Sequence, residues 1–435
     1  MTSWWCEYAG LPDGVVPGVR LTSAGDRLAS VIPMTHPAPG DTVLRGLTLP
    51  GFANAHSHAF HRALRGRTHD RGTFWTWRDA MYSWASRLGP ESYYTLARAV
   101  FAEMVLAGYT VVGEFHYVHH RPDGAPYGDP NAMGEALLAA AGEAGLRITL
   151  LDSLYLAGGL EAAGPLPLAT DQRRFSDGSV AAWAERRSLL TESTTARIGA
   201  AVHSVRAVPP SALHTVAGIL GPDVPTHVHL SEQPAENAAT LGRYGLTPTG
   251  LLSDAGLLRP SLTAVHATHL TPGDMALLGG AGAIVCLCPT TERDLADGIG
   301  PARVLFDGGV PLAVGSDSQA VVDPFEELRA IEMHERLATG ERGHFSPEQL
   351  LAMGAATGYL SLGWPDGGRL ASDALADFVT VSLTSVRTAG TYPDQALFAA
   401  SAADVTSVVV GGDPVVHDGQ HRLGDVGRLL AEAIT

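Results

Sequence analysis

Hydrophobic positions along the chain fall into two alternating kinds of stretch. Short apolar segments rich in β-branched residues are each followed by a run whose apolar positions return at helical spacing. The segments are GLTLPGFANAHSH (46–58), TVVGEFHY (110–117), RITLLDSLYL (147–156), RIGAAVHSV (197–205), PTHVHLSE (225–232), LTAVHATH (262–269), AIVCLCPT (283–290) and PLAVGSDS (311–318). The helical runs mark their own boundaries. PESYYTLARAVFAEMVLAG opens on Pro90 and ends at Gly108, NAMGEALLAAAGEAG ends at Gly145, and DPFEELRAIEMHERLATG ends at Gly340. Proline in a first turn and glycine just past a last one are the expected punctuation. Strand alternating with helix eight times predicts an α/β fold, a (β/α)8 TIM barrel spanning residues 51–364.

The two ends of the chain read differently. GVVPGVRLTS and RLASVIP near the N-terminus, and ADFVTVSL and VTSVVVGGDPVVHDG near the C-terminus, are strand-like pieces separated by turn residues. Residues 1–50 and 365–435 are therefore expected to combine into a small β-sandwich domain built from both chain termini, beside the barrel.

Composition narrows the function. The chain has 435 residues, is 45% hydrophobic, and its 50 glycines and 28 prolines fall short of the share that signals disorder. A formal net charge of −16 argues against nucleic acid or an anionic membrane as partner, so an acidic ligand must be held by local cations. All 29 positive side chains are arginine. With no lysine, a Schiff base, a phosphate-loop lysine and a lysine bridging two metals are excluded. Cys6, Cys286 and Cys288 are too few for a disulfide framework, and the last two are expected to be buried packing residues. MTSWWCEYAG lacks a basic cluster and no apolar run reaches the roughly 20 residues of a bilayer span, so a cytoplasmic soluble protein is expected.

In such barrels the active site lies at the C-terminal ends of the strands. The first segment ends in His56 and His58, the fifth in His227, His229 and Glu232, the sixth in His266 and His269, and the eighth in Asp317. Any one of these histidines could pack in a core, but as a set at strand ends they form a candidate metal site. Two histidines from the first strand, one from the fifth and a carboxylate from the eighth would give nitrogen and oxygen donors suited to zinc or another borderline divalent ion. Glu232 follows closely enough to exchange protons with a water whose pKa zinc lowers toward about 7. His266 could orient that water or stabilise developing charge, and His269 reads as a loop residue. Glu114 and His116 could face the mouth or hydrogen-bond within a barrel layer. His119 and His120 read as loop residues, and His334, His417 and His421 as surface ones.

The motifs HSH at 56–58, HVHLSE at 227–232, VHATH at 265–269 and GSDS at 315–318 resemble those of the amidohydrolase superfamily. Members with two metals usually bridge them from the fourth strand with a carboxylated lysine or a glutamate. Here AAVHSVR offers neither, which is the pattern of the single-metal deaminase branch. Within that branch NAHSHAFHRAL, FWTWRDAMY, AGYTVVGEFHYVHH, HSVRAV and VHATH are similar to the iminohydrolases that convert N-formimino-L-glutamate to N-formyl-L-glutamate and ammonia in histidine degradation. The resemblance implies a homodimer with one divalent metal per subunit, zinc first, held by His56, His58, His229 and Asp317. It implies catalysis by Glu232 and His266 with Asp317, and substrate contacts from His61, Arg78, Tyr117, His203 and Arg206. The family usually has glutamine where this chain has His61. Two arginines suit a substrate with two carboxylates, because guanidinium grips carboxylate bidentately. Arg78 sits in an aromatic insertion, TFWTWRDAMY, long enough to act as a lid. Two other classes stay open: a deaminase of a nucleobase or nucleoside, which would need no pair of arginines, and a non-catalytic metal-binding barrel, which would need no Glu232.

Overall fold

The computed structural model describes residues 1–68 and 72–434. The eight predicted strands are all present: β1 (Phe52–Ser57), β2 (Tyr109–His116), β3 (Arg147–Leu154), β4 (Ala196–Ser204), β5 (Thr226–Leu230), β6 (Leu262–His266), β7 (Ile284–Leu287) and β8 (Leu312–Val314). Each pairs in parallel with the next, in chain order, with helices between. The fold is thus a (β/α)8 barrel. The long helices end where the glycines predict, with Gly108 (φ +105°), Gly145 (φ +77°) and Gly340 (φ +76°) all left-handed.

Closure between β8 and β1 depends on little backbone. Ser57 and Asp317 form an isolated parallel bridge, in which the Asp317 amide donates to the His56 carbonyl (3.0 Å) and the His58 amide to the Asp317 carbonyl (3.1 Å). Side chains complete the seam. Asn54 receives the Ser316 amide (2.9 Å) and donates to Ser316 Oγ (2.6 Å), which reaches Gln319 Oε1 (2.7 Å). Gln319 Nε2 donates to Ser57 Oγ (2.9 Å), and Ser57 Oγ in turn donates to Glu114 on β2 (2.7 Å). Glu114, undecided from sequence, therefore serves as a structural hydrogen bonder, and it also receives the Ala59 amide (2.7 Å).

The opposite end of the barrel is plugged. The Leu362 carbonyl accepts from Thr149 Oγ1 on β3, Trp364 donates to the same hydroxyl, and His227 Nε2 bonds the Ser361 carbonyl (3.1 Å). His227 thus belongs to a lower layer than His229. The C-terminal ends of the strands, at the other end of the barrel, open onto a cavity of their own.

The chain termini meet in a second eight-stranded sheet, in which Thr42–Pro50 pairs antiparallel with Phe378–Val381. This is the small β-sandwich. Trp4, Cys6, Leu21, Leu44, Phe378 and Val409 form its own core, while Val379, Val381 and Val408 pack into the barrel's. A buried bidentate pair, Arg147 with Asp377 (2.8 and 3.3 Å), ties it to β3.

Two readings need correction. The stretch 46–58 is two strands, not one: it breaks at Pro50–Gly51, where a Cβ on residue 51 would stand 2.1 Å from Thr110 Oγ1, and the first half joins the other sheet. His421 is buried, not on the surface, because the C-terminal segment folds back so that its Nε2 meets the Ala144 carbonyl (3.0 Å). His119 and His120 lie in a loop as expected, buried against Ser153 and Asp177. Cys286 and Cys288 are buried as expected. Among the described residues no helix is long and apolar enough to cross a membrane.

The seam makes a prediction. Asn54→Ala would leave the buried Ser316 amide and hydroxyl short of partners, and urea denaturation should show a loss of about 1–3 kcal/mol at unchanged m-value. An unaltered midpoint would mean that backbone pairing alone closes the barrel.

Candidate active site

The strand ends at the open mouth are locally irregular. Pairing of β1 with β2 slips between Asn54 and Ser57, the kind of defect that re-aims a side chain, and His56 lies within it. Beyond β5, β6 and β8, Ser231 (φ +49°), His266 (φ +67°), Ala267 (φ +51°) and Asp317 (φ +43°) are left-handed without being glycine. Such conformations cost about 1–3 kcal/mol each and concentrate at functional sites.

These distortions bring four donors together. His229 Nε2 is 3.1 Å from His56 Nε2 and 3.3 Å from His58 Nε2, and Asp317 Oδ1 is 3.3 and 3.5 Å from those same two nitrogens. Two of the rings have their tautomer set from behind. His58 Nδ1 donates to the Phe115 carbonyl (2.9 Å) and His229 Nδ1 to the His203 carbonyl (2.9 Å), so both Nε2 atoms present lone pairs. Burial pushes His56 down to about 3 and His58 to about 4, and holds His229 well below the usual histidine value. Neutral imidazole lone pairs facing one another and a carboxylate, out of water, repel unless a cation lies between them. The donor set fits a metal ion and fits poorly without one.

His266 stands in a different field. Its Nε2 is 3.7 Å from Glu232 Oε1 and 3.9 Å from Asp317 Oδ2, and its Nδ1 is 3.4 Å from Glu292. Burial works against its charge, but these carboxylates prevail and hold it well above the ordinary histidine value. Burial raises Glu232, with His266 and Arg206 pulling the other way. A buried carboxylate beside a charged imidazole is a proton-exchanging pair.

A cavity of about 280 Å³ opens over these groups. Its lining includes His58, His229, Glu232, His266 and Asp317, together with all five residues expected to touch substrate: His61, Arg78, Tyr117, His203 and Arg206. His61 Nε2 meets Tyr117 Oη (3.0 Å), with its ring between His58 and Trp77. The His203 ring packs on Tyr155 at 4.6 Å. The guanidinium of Arg78 lies 4.6 Å from the Trp75 ring and 5.4 Å from that of Tyr82, with no carboxylate partner among the described residues. Arg206, by contrast, faces two glutamates, Glu232 (3.7 Å) and Glu236 (3.8 Å). His269 stays out of the cavity, bonded to the Asp297 carbonyl (2.8 Å).

Sequence reading missed Glu292 and Glu236. Glu292 follows β7, a strand credited with no polar end, and it also accepts the Cys288 amide (2.8 Å). Glu236 lies one helical turn after Glu232, in the helix Pro234–Tyr244, and that spacing was the available signal. A separate buried group, His116, His119 and Asp152, also comes within metal-binding distance. Its carboxylate is already taken by Arg186 (2.8 Å to each oxygen) and Trp183 (2.8 Å), which marks it as scaffold.

The sequence profile described as Amidohydrolase family matches residues 47–415. The chain is 36% identical over 438 residues to formimidoylglutamate deiminase of Pseudomonas aeruginosa, covering 97% of this chain and 96% of that one. It is 26% identical to a 5-methylthioadenosine/S-adenosylhomocysteine deaminase of Pelotomaculum thermopropionicum, covering 97% and 94%. The crystal structure of an amidohydrolase from Brucella melitensis superposes with a TM-score of 0.90 at 32% identity, covering 100% of this chain and 99% of that one.

Elemental analysis of the purified protein should find about one divalent ion per chain. His229→Ala and Asp317→Asn should each abolish its retention, while Glu232→Gln should retain it. Full metal content in both ligand variants would dismiss the four-donor assignment.

Proposed function

The chain belongs to the amidohydrolase family and is a metal-dependent hydrolase acting on carbon–nitrogen bonds, and from that premise we propose that it hydrolyses N-formimino-L-glutamate to N-formyl-L-glutamate and ammonia. The observation that carries this reading is the meeting, in one cavity, of a donor cluster and two arginines from different elements. A substrate with a formimino carbon and two carboxylates matches both halves. Identity of 36% to a formimidoylglutamate deiminase supports the same substrate.

In this reading His56, His58, His229 and Asp317 hold one divalent ion, zinc by the preference of three imidazoles and a carboxylate. When bound, that ion acidifies water and polarises the carbon–nitrogen group. Glu232 carries both protons of the attacking water, one at addition and one at collapse of the tetrahedral adduct, to the imine nitrogen of the substrate, which leaves as ammonia. The balance is HN=CH–NH–R plus H2O giving O=CH–NH–R plus NH3. His266 keeps its Nε2 proton directed at the oxygen that develops negative charge, and Glu292 behind Nδ1 holds the ring in that attitude. Arg78 and Arg206 seat the carboxylates, and His61, Tyr117 and His203 shape the wall between them and the reacting carbon. His61 brings an imidazole already bonded to Tyr117, which leaves Nδ1, buried and without a partner among the described residues, as the atom it can offer substrate. We assign the enzyme to histidine degradation as a cytoplasmic homodimer.

Metal-replete protein should release ammonia from N-formimino-L-glutamate, with formylglutamate as co-product. Glu232→Gln should lower kcat about 10²–10⁴-fold without loss of metal. If the wild type leaves that substrate untouched but deaminates an adenosine or purine substrate, the acid-base assignment stands and the substrate reading fails.

A further inference from the structure

The two cavity arginines are not equivalent, and the difference lies in which edge of each guanidinium is occupied. A guanidinium has two bidentate edges, Nε with Nη2 and Nη1 with Nη2. Arg186, in the buried scaffold, has both filled: Asp177 takes Nε and Nη2 (2.8 and 2.9 Å), and Asp152 takes Nη1 and Nη2 (2.8 Å each). Arg206 has one edge turned toward carboxylates. Its Nε is 3.8 Å from Glu236 and its Nη2 is 3.7 Å from Glu232. Among the described residues its Nη1 meets no acceptor, although the residue lines the cavity.

Glu236 is itself unusual. It is 1% exposed; its carboxylate has a backbone contact with Glu232, yet among the described residues neither buried oxygen has a hydrogen-bond partner of good geometry, nor has Nε of Arg206. Leaving a buried carboxylate so poorly paired is costly, and closing the 3.8 Å gap to Nε would satisfy both groups at once. Glu232 lies instead between Nη2 of Arg206 and His266 (3.7 Å to each), which leaves Nε to Glu236.

We propose that Glu236 is a positioning and specificity-determining residue: facing Nε of Arg206, it directs the Nη1/Nη2 edge of that guanidinium into the cavity as the seat of one substrate carboxylate. The inference rests on the dicarboxylate substrate proposed above and adds to it the group that orients the seat. It also separates the arginines by task. Arg206 is an oriented, partly neutralised clamp near the reacting groups, whereas Arg78 is a cation on an aromatic wall.

Binding of glutarate to the metal-replete protein, followed by calorimetry, tests this without turnover. Glutarate affinity should fall about tenfold in Glu236→Gln and further in Glu236→Ala, with metal content and circular dichroism unchanged. Unchanged or tighter binding in Glu236→Gln would overturn the proposal, because Glu236 would then merely compete with the ligand for Arg206. A wild type that binds no glutarate would overturn it as well. In turnover, Glu236→Gln should raise KM for N-formimino-L-glutamate about tenfold with kcat nearly unchanged, and one of its two monocarboxamides, α or γ, should be insensitive to the substitution. Equal penalties on both carboxamides, or a fall in kcat alone, would assign Glu236 a structural or proton-transfer role instead. Glutarate binding that weakens as expected, in an enzyme inert toward N-formimino-L-glutamate, would uphold Glu236 and reject only the substrate.

Discussion

The barrel closes on side chains more than on backbone, and the catalytic mouth depends on that closure. Between β8 and β1 the ladder is reduced to the bridge at Ser57 and Asp317, and the relay from Asn54 through Ser316, Gln319 and Ser57 to Glu114 supplies the remaining hydrogen bonds. The residues threaded by this relay are neighbours in sequence of His56, His58 and Asp317. Closing the barrel and assembling the donor cluster are therefore one event. In a buried relay each bond polarises the next, so a partial version would be worse than none.

Burial then sorts the mouth into two chemical zones. Where imidazoles face one another, desolvation holds them neutral, as ligands require. A few ångströms away three carboxylates surround His266 and reverse the outcome, holding its proton. The same residue type is thus kept in opposite states by neighbours alone. This is the pattern by which one site can hold a metal and exchange protons at the same pH.

What was legible in the sequence was what strand periodicity controls. Eight β/α units follow from spacing, and the strand-end rule turns spacing into a list of residues at one mouth. His56, His58, His229, Glu232, His266 and Asp317 all come from strand ends and all converge. The illegible features are those decided by tertiary contact. The change of sheet at residues 50 and 51 agrees with the expected domain boundary, but its cause, the Thr110 side chain pressed against Gly51, is a tertiary contact. Glu292 and Glu236 belong to the helices that follow strands, where acidic residues are ordinarily solvated, and only the fold shows them buried behind His266 and Arg206.

The inequality of Arg78 and Arg206 was the least legible of all, and it bears on how an acidic protein could accept the acidic substrate proposed for it. A net charge of −16 offers no long-range attraction to a dicarboxylate, so capture must be local and short-ranged. An uncompensated guanidinium deep among the reacting groups would satisfy that need but would also draw Glu232 away from proton transfer. In the proposed arrangement Glu236 on the Nε side divides the guanidinium's field, so that Glu232, 3.7 Å from both Arg206 and His266, is shared rather than captured. Arg78 lies instead among aromatic rings in the insertion after β1, where it can meet the other carboxylate without disturbing the acid-base pair. Two cations with different degrees of neutralisation would let one cavity bind the proposed dicarboxylate at both ends while its centre keeps the proton affinities that hydrolysis requires.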